Sequence, residues 1–401
     1  MHRSSIAKRM RRHDILLKLI TMVKKTINQK ALEIHKKLGG KIEVTPKAKI
    51  NSAKDLSIIY TPGVAFVSEF VKGNEKRARI YTIKGNSVAI VSDGSSVLGL
   101  GNIGALGALP VMEGKAVLFK EFAGIDAYPI VLDTQRVNEI VDTVKNIAPG
   151  FGGIILEDIS APRCFEIEER LKKELNIPVM HDDQHGTAIV VLAALINASI
   201  VVKKNLKKLS IVIIGAGAAG TAVTNLLVRV GIRDIVVVDS RGIIYKGRKN
   251  LNKYKKLLAS KTNKKNKKGD SSVAIEGADV LIGVSGPKTI TKAHVRSMAR
   301  DAIVFALANP VPEIYPHLAK DAGAKIVATG RSDFPNQVNN ALVFPGIFRG
   351  ALDRGAKKIT ENMKIKAAHS LASIVKKPSK NKIIPSIFDK RVCPAIAKSV
   401  R

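Results

Sequence analysis

The stretch Gly152-Gly153-Ile154-Ile155-Leu156-Glu157-Asp158, followed by Val179-Met180-His181-Asp182-Asp183, decides the fold. Each is an apolar run that ends in adjacent acids. Between them Phe165, Ile167, Leu171 and Leu175 recur at helical spacing. The pattern predicts a strand, a crossover helix and a second strand. Such a crossover makes the strands parallel and brings their carboxyl ends to one edge. Open α/β sheets bind their ligands at that edge. Three or four carboxylates converging there repel one another unless a cation joins them. An all-oxygen set suits a hard divalent ion, Mg²⁺ or Mn²⁺, better than zinc.

Further along, Gly215-Ala216-Gly217-Ala218-Ala219-Gly220 is a G-x-G-x-x-G motif. Alone it is weak, because glycine-rich turns are common. Here it follows the apolar run Ile211-Val212-Ile213-Ile214, opens a helical stretch, and is followed 19 positions after Gly220 by Asp239 at the end of another apolar run. That context predicts a dinucleotide site: a tight turn, a close backbone approach for pyrophosphate, and a helix packed on its strand. The free N–H groups at the helix start would face the phosphates. Asp239 would accept hydrogen bonds from the adenosine ribose and favour NAD, whereas nearby Arg241 could hold a 2′-phosphate. NAD or NADP therefore stays open, with a lean to NAD.

The alternation continues on both sides. Strands are expected at 87–92, 116–119, 130–132, 234–238, 279–284, 302–306 and 325–328. A helical stripe runs through Val137, Ile140, Val141, Val144 and Ile147, and an apolar helix over 186–202 joins two halves. The expected fold class is α/β: an N-terminal α/β domain over 39–180, then a doubly wound Rossmann-type domain over 184–401, preceded by a basic helical segment over 1–38.

Composition narrows the function. Apolar residues make up 45% of the 401, so a packed core is affordable, and only two cysteines occur, which fits a reducing compartment. No uncharged apolar run reaches membrane-spanning length, so no membrane association is expected. Lys18 interrupts the apolar stretch behind the basic amino terminus, which argues against a signal peptide. A cytoplasmic location is expected, with organelle targeting by this Arg-rich segment as the alternative. The net charge of +34 is densest over 246–268. Aromatics are only 4% of the chain, so a base-stacking surface is not expected, nor specific nucleic-acid binding. The lysine run reads as a solvated loop or helix face whose field draws in anionic substrates and dinucleotides.

Some single residues are ambiguous alone. Lys115 precedes the apolar run Ala116-Val117-Leu118-Phe119. Most lysines are solvated, but one in a dry cleft loses basicity and could act as a base. Tyr60 reads as half-buried packing. Asn309 and Asn340 read as turn residues, though amides at strand ends also hold carboxylates or a nicotinamide.

Taken together the segments resemble the malic enzymes. Those carrying the resemblance are 56–65 (LSIIYTPGVA), 93–104 (DGSSVLGLGNIG), 110–120 (PVMEGKAVLFK), 156–163 (LEDISAPR), 181–188 (HDDQHGTA) and 332–340 (SDFPNQVNN). The resemblance implies Tyr60 as general acid, Lys115 as general base and Asp182 as the acid supporting it. It implies Glu157, Asp158 and Asp183 as metal ligands, residues 216–219 and Asn309 as dinucleotide contacts, and Asn340 as a substrate contact. Three positions depart from the family's usual residues: Ile155 for asparagine, Val311 for a polar residue and Gly346 for an aromatic. Larger relatives carry a carboxyl-terminal domain resembling phosphate acetyltransferases, which is expected to be absent here. The implied activity is oxidative decarboxylation of malate to pyruvate and CO₂ with NAD or NADP, in a homodimer or larger homo-oligomer. The alternative is a hydroxy-acid or amino-acid dehydrogenase that does not decarboxylate, for which paired acids and a divalent cation are unnecessary.

Overall fold

The computed structural model describes residues 26–400, and the amino-terminal basic segment around Ile15 and Val23 lies outside the described residues. Two compact units result, one ending at Thr45 and one beginning at Pro46. In the first, α1 (Ile27–Leu38) opens with a capping box between Thr26 and Gln29 and stops at Gly39, whose φ of 66° is a left-handed cap. None of its residues is buried.

The second unit begins with three short helices, α2 (Ala53–Ile59), α3 (Gly63–Val71) and α4 (Glu75–Tyr81), so strand and helix do not yet alternate here. The first sheet follows. Its strands β1 (Ser87–Ser92), β2 (Asp126–Val131), β3 (Gly153–Leu156) and β4 (Val179–His181) are all parallel and lie in the order β2-β1-β3-β4. β1 and β2 are joined by α5 (Gly104–Ala123), β2 and β3 by α6 (Val137–Ile147), and β3 and β4 by α7 (Arg163–Glu174). The chain leaves β1 toward β2 on one side and takes up β3 on the other. The β1/β3 boundary is thus a switch point, and its carboxyl edge is where a ligand crevice forms.

The expected strand at 116–119 is not one. These residues lie inside α5, a helix of 20 residues. Its buried positions Ala108, Met112, Lys115, Ala116 and Phe119 fall on one helical face. A four-residue apolar run fits a strand or one turn of a buried helix equally well, and here the longer register decides.

The chain crosses to the second sheet through α8 (Asp182–Val201). This helix is apolar on all sides and is enclosed between α9 (Ala218–Arg229) and α12 (Glu361–Ser373). By length and composition it could cross a membrane, but most of it is buried in the core. The second sheet runs β10-β9-β8-β5-β6-β7. Its members are β5 (Ser210–Ile214), β6 (Asp234–Asp239), β7 (Gly242–Ile243), β8 (Val280–Gly283), β9 (Ile303–Ala306) and β10 (Ile326–Thr329), all parallel except β7. This is the doubly wound arrangement, with its switch point between β5 and β8. Helix α10 (Lys253–Lys261) packs beside α9, and α11 (Phe344–Arg354), α12 and α13 (Val392–Ser399) close the core. The absence of an aromatic at Gly346 has a packing cause: a Cβ there would lie 2.7 Å from Ile396 of α13.

Candidate active site

The turn after β3 carries Glu157 and Asp158. Asp158 takes φ of 54°, a left-handed conformation that short polar side chains tolerate better than most. The turn after β4 is shorter still, because α8 begins at Asp182 directly behind His181. Asp182 and Asp183 therefore occupy the first turn of a helix, where the unpaired N–H groups favour negative charge. Glu157, Asp158 and Asp183 each offer an oxygen, and these atoms lie within 4.8 Å of one another. The Asp158 amide donates to Asp183 Oδ2 at 3.0 Å. Burial, followed by the charge of Asp183, pushes the Asp158 carboxyl up to about 8. Burial and the carboxylates of Asp183, Asp182 and Asp158 hold Glu157 well above its ordinary value, against the pull of Lys115. Asp158 Oδ2 is buried with no hydrogen-bond partner among the described residues. Buried, mutually repelling and incompletely bonded oxygens fit a hard divalent cation.

Lys115 stands beside this cluster, 6% exposed, with its ammonium hydrogen-bonded to Asp182 Oδ2 and 2.7 Å from Glu157 Oε2. The expectation that a dry lysine loses basicity is overturned. Burial alone would lower its pKa, but attraction to Asp182 and Glu157 outweighs burial and raises it above the ordinary lysine value. The ring of Phe344 covers the ammonium at 4.3 Å, a contact not visible in the sequence. Asn340 reaches the same place: a Cβ on Gly186 would meet both Asp182 Oδ1 and, at 3.0 Å, Asn340 Cβ.

Tyr60 makes none of the hydrogen bonds or ion pairs that hold the cluster among the described residues. It ends α2, is 62% exposed, and its hydroxyl makes no hydrogen bond among the described residues. It stands among the exposed apolar residues Leu56, Ile58, Ile59 and Phe66.

The glycine turn lies at the carboxyl edge of β5. Gly215 takes φ of 117°, and a Cβ on it would strike Val284 O at 2.3 Å. A Cβ on Gly220 would lie 1.8 Å from Gly215 O, so helix and strand approach too closely for any side chain there. Gly217 has nothing within 4 Å of its Cβ position, and as the N-cap of α9 it leaves the first amides free. Ala218 and Ala219 are the first residues of α9. Gly215, Ala216, Gly217 and Asp239 line a cleft of about 660 Å³ that also takes Ala161 and Pro162 from the loop before α7. This open cradle fits a pyrophosphate. Asn309 is not on its wall. It lies in the loop after β9, beside Gly330 and against Gly99. In the same loop as Gly99 the Ser96 amide donates to Asp158 O at 2.9 Å, so one loop joins the acid cluster to the edge of the second sheet.

Asp239, expected to accept from the ribose, has cationic partners of its own. Its carboxylate already accepts from Arg248 Nη2 at 2.7 and 2.8 Å, Lys255 Nζ at 2.6 Å and the Arg241 amide at 2.9 Å. Burial raises its pKa, but the hydrogen bonds from Arg248 and Lys255 win and lower it. Both cations belong to the run that reads in sequence as a solvated face. They lie nine and 16 positions after Asp239, spacings that match no helix or strand repeat, so no sequence signal marks them. Glu313 was missed as well. It is fully buried and accepts from the amides of Ser285 and Ala308, tying together the loops that follow β8 and β9.

Comparison with known proteins agrees with this geometry. Residues 39–172 match the family model described as malic enzyme, N-terminal domain, and residues 184–400 match malic enzyme, NAD binding domain. The chain belongs to the malic enzyme family. It is 55% identical over 378 residues to the bifunctional malic/malolactic enzyme of Bacillus subtilis, covering 94% of this chain and 92% of that one. Identity to the NADP-dependent malic enzyme of Halomonas elongata is 48%, over 90% of this chain and 86% of that one. The crystal structure of an NAD-dependent malic enzyme from Thermotoga maritima superposes with a TM-score of 0.89 at 48% identity, covering 92% of this chain and 98% of that one.

Proposed function

We propose that this malic enzyme family member converts (S)-malate to pyruvate and CO₂ while reducing NAD or NADP, with a divalent cation held by Glu157, Asp158 and Asp183. The observation that carries the reading is the three-carboxylate cluster beside the buried Lys115–Asp182 pair. Hydride transfer to a dinucleotide alone does not require such a cluster, whereas decarboxylation gains from a cation at the 2-oxygen. Mg²⁺ or Mn²⁺ would supply Lewis-acid polarisation of the substrate's 2-oxygen.

The chain's own residues do the rest. The hold on the Lys115 proton weakens once a cation draws on the charge of Glu157. As the neutral amine Lys115 then takes the proton of the 2-hydroxyl while hydride leaves C2 for the nicotinamide, and the C3–C4 bond of the 2-oxo acid breaks to release CO₂. Asp182 holds the resulting ammonium in place. Glu157 cannot serve a cation and the ammonium with its full charge, so the loaded site leaves Asp182 as the lysine's main partner. Phe344 keeps water from the ammonium, and Asn340 orients the substrate. Tyr60 returns a proton to C3 of enolpyruvate. Because Tyr60 is exposed on an apolar face with Leu56, Ile58, Ile59 and Phe66, we place that face against a second copy in a homodimer or larger homo-oligomer.

For the dinucleotide, Gly215–Gly220 cradles the pyrophosphate and Asn309 lies toward the nicotinamide end. Asp239 favours the free ribose of NAD, while Arg248 and Lys255 offset its charge enough for a 2′-phosphate to be tolerated. Malate turnover with each dinucleotide at fixed Mn²⁺, before and after EDTA, tests the whole reading. EDTA should abolish turnover and Mn²⁺ should restore it. Full activity in EDTA would support the alternative dehydrogenase instead.

A further inference from the structure

A pocket between α8, α9, α10 and α12 has chemistry that malate oxidation does not use. It is a cavity of about 410 Å³ and shares no lining residue with the dinucleotide cleft. Its wall includes Lys364 of α12, 1% exposed, and Gln184 of α8, 5% exposed. Gln184 Nε2 is buried with no hydrogen-bond partner among the described residues. A desolvated amide donor of that kind is costly unless an acceptor meets it. Lys364 Nζ donates to Glu361 Oε1 at 2.6 Å and to His185 Nδ1 at 2.8 Å, which uses two of its three protons. His185 is fixed in turn: its Nε2 lies 2.9 Å from Glu168 Oε2, and Glu168 Oε1 accepts the His181 amide. The ammonium is therefore held in place at the cavity wall rather than free to swing into solvent.

The same cavity is lined by the exposed cations Arg229 and Lys261. Lys261 leans on Asn225 Oδ1 at 3.1 Å, and neither cation has a carboxylate partner among the described residues. Glu361 is the one carboxylate among the lining residues, set against the charges of Lys364, Arg229 and Lys261. Buried donors at the wall and unpaired cations beside them describe a receptor for negative charge, not a solvated face.

We propose that this cavity binds a small dianion of the phosphate or short dicarboxylate kind, at a site separate from malate and from the dinucleotide. Its volume falls within the range of small-molecule pockets. Calorimetric titration of the full chain at low salt, with NADH saturating, tests this, because NADH keeps the glycine turn from counting as a phosphate site. Inorganic phosphate and succinate serve as separate probes. One equivalent of at least one probe should bind per chain. The tighter of the two names the source, a phosphate or a dicarboxylate. The double variant Arg229→Ala/Lys261→Ala should bind that probe at least tenfold more weakly while keeping wild-type malate turnover, and Arg229→Lys/Lys261→Arg should bind it like the wild type. The proposal is overturned if neither probe binds the NADH-loaded wild type, or if the double alanine variant binds as tightly as the wild type. Both results leave the malate reading untouched, since these two cations lie outside its machinery.

Discussion

The two sheets each end a strand in acid at the carboxyl edge, and the two acids meet opposite surroundings. After β3 and β4 the carboxylates face one another and share a single ammonium, and Asp158 is pushed up to about 8. After β6, Asp239 stands alone between Arg248 and Lys255 and its pKa falls. The same functional group at an equivalent place in the fold is thus left short of positive charge in one lobe and supplied with it in the other. What differs is the number of acids per cation. On the proposed reading a metal would relieve the first edge, whereas the second has its cations built in and would meet the adenosine ribose.

The sharpest way to break this contrast is to remove an acid from the crowded edge. Asp183→Ala takes away one of the proposed metal ligands and the acceptor of the Asp158 amide. Malate turnover should fall by about 10³-fold or more, and excess Mn²⁺ should not restore it; turnover with the wild-type metal requirement would remove Asp183 from the ligand set. Next in size is Lys115→Ala, which should lower kcat by roughly 10²- to 10⁴-fold, the ordinary contribution of a positioned base. NADH binding, followed by fluorescence, should stay within about twofold, because Lys115 lies on the acid cluster and not on the wall of the dinucleotide cleft. Unchanged kcat would take the base role from it.

The crowded edge was the part most legible in the chain. Paired acids behind apolar runs on either side of a helical stripe dictate a parallel crossover, and the crossover dictates convergence. The glycine turn was legible for the same reason, since each glycine answers a steric demand at a known place in a strand-turn-helix unit. What could not be read was anything set by contacts distant in sequence. The run after Lys115 reads as a strand because four apolar residues do not reveal a period, and only the whole of α5 does. The charge state of Lys115 depends on Asp182, 67 residues away. Arg248 and Lys255 were hidden in a lysine-rich run whose composition says solvent, because the fold, not the local sequence, brings them back to Asp239. Tyr60 lies exposed among apolar residues, and the role proposed for it depends on a second copy of the chain.

A smaller effect probes the edge that carries its own cations. Arg248→Ala removes the Nη2 group that reaches both oxygens of Asp239. The bared carboxylate should repel a 2′-phosphate, so kcat/KM with NADP should fall by about tenfold, equivalent to roughly 1.4 kcal/mol, while kcat/KM with NAD changes by no more than about threefold. Equal losses with both dinucleotides would mean that Arg248 only holds the loop.

The least effect, and the most direct reading of the contrast, is in acid. Asp239 has a folded pKa below its ordinary 3.8. A depressed carboxylate contributes stability that is complete above the unfolded value and is lost as pH falls through the folded one. The pair with Arg248 should therefore add a constant increment, about 1 kcal/mol for a partly screened ion pair, from pH 7 down to about 5. Below about pH 4 the difference in melting temperature between wild type and Arg248→Ala should shrink toward the part owed to the Gly242 and Ile243 carbonyl hydrogen bonds, because a protonated Asp239 no longer pairs with the guanidinium. A difference that stayed flat to pH 3 would mean that Arg248 stabilises the fold through its hydrogen bonds to the carbonyls of Gly242 and Ile243 and not through the charge of Asp239.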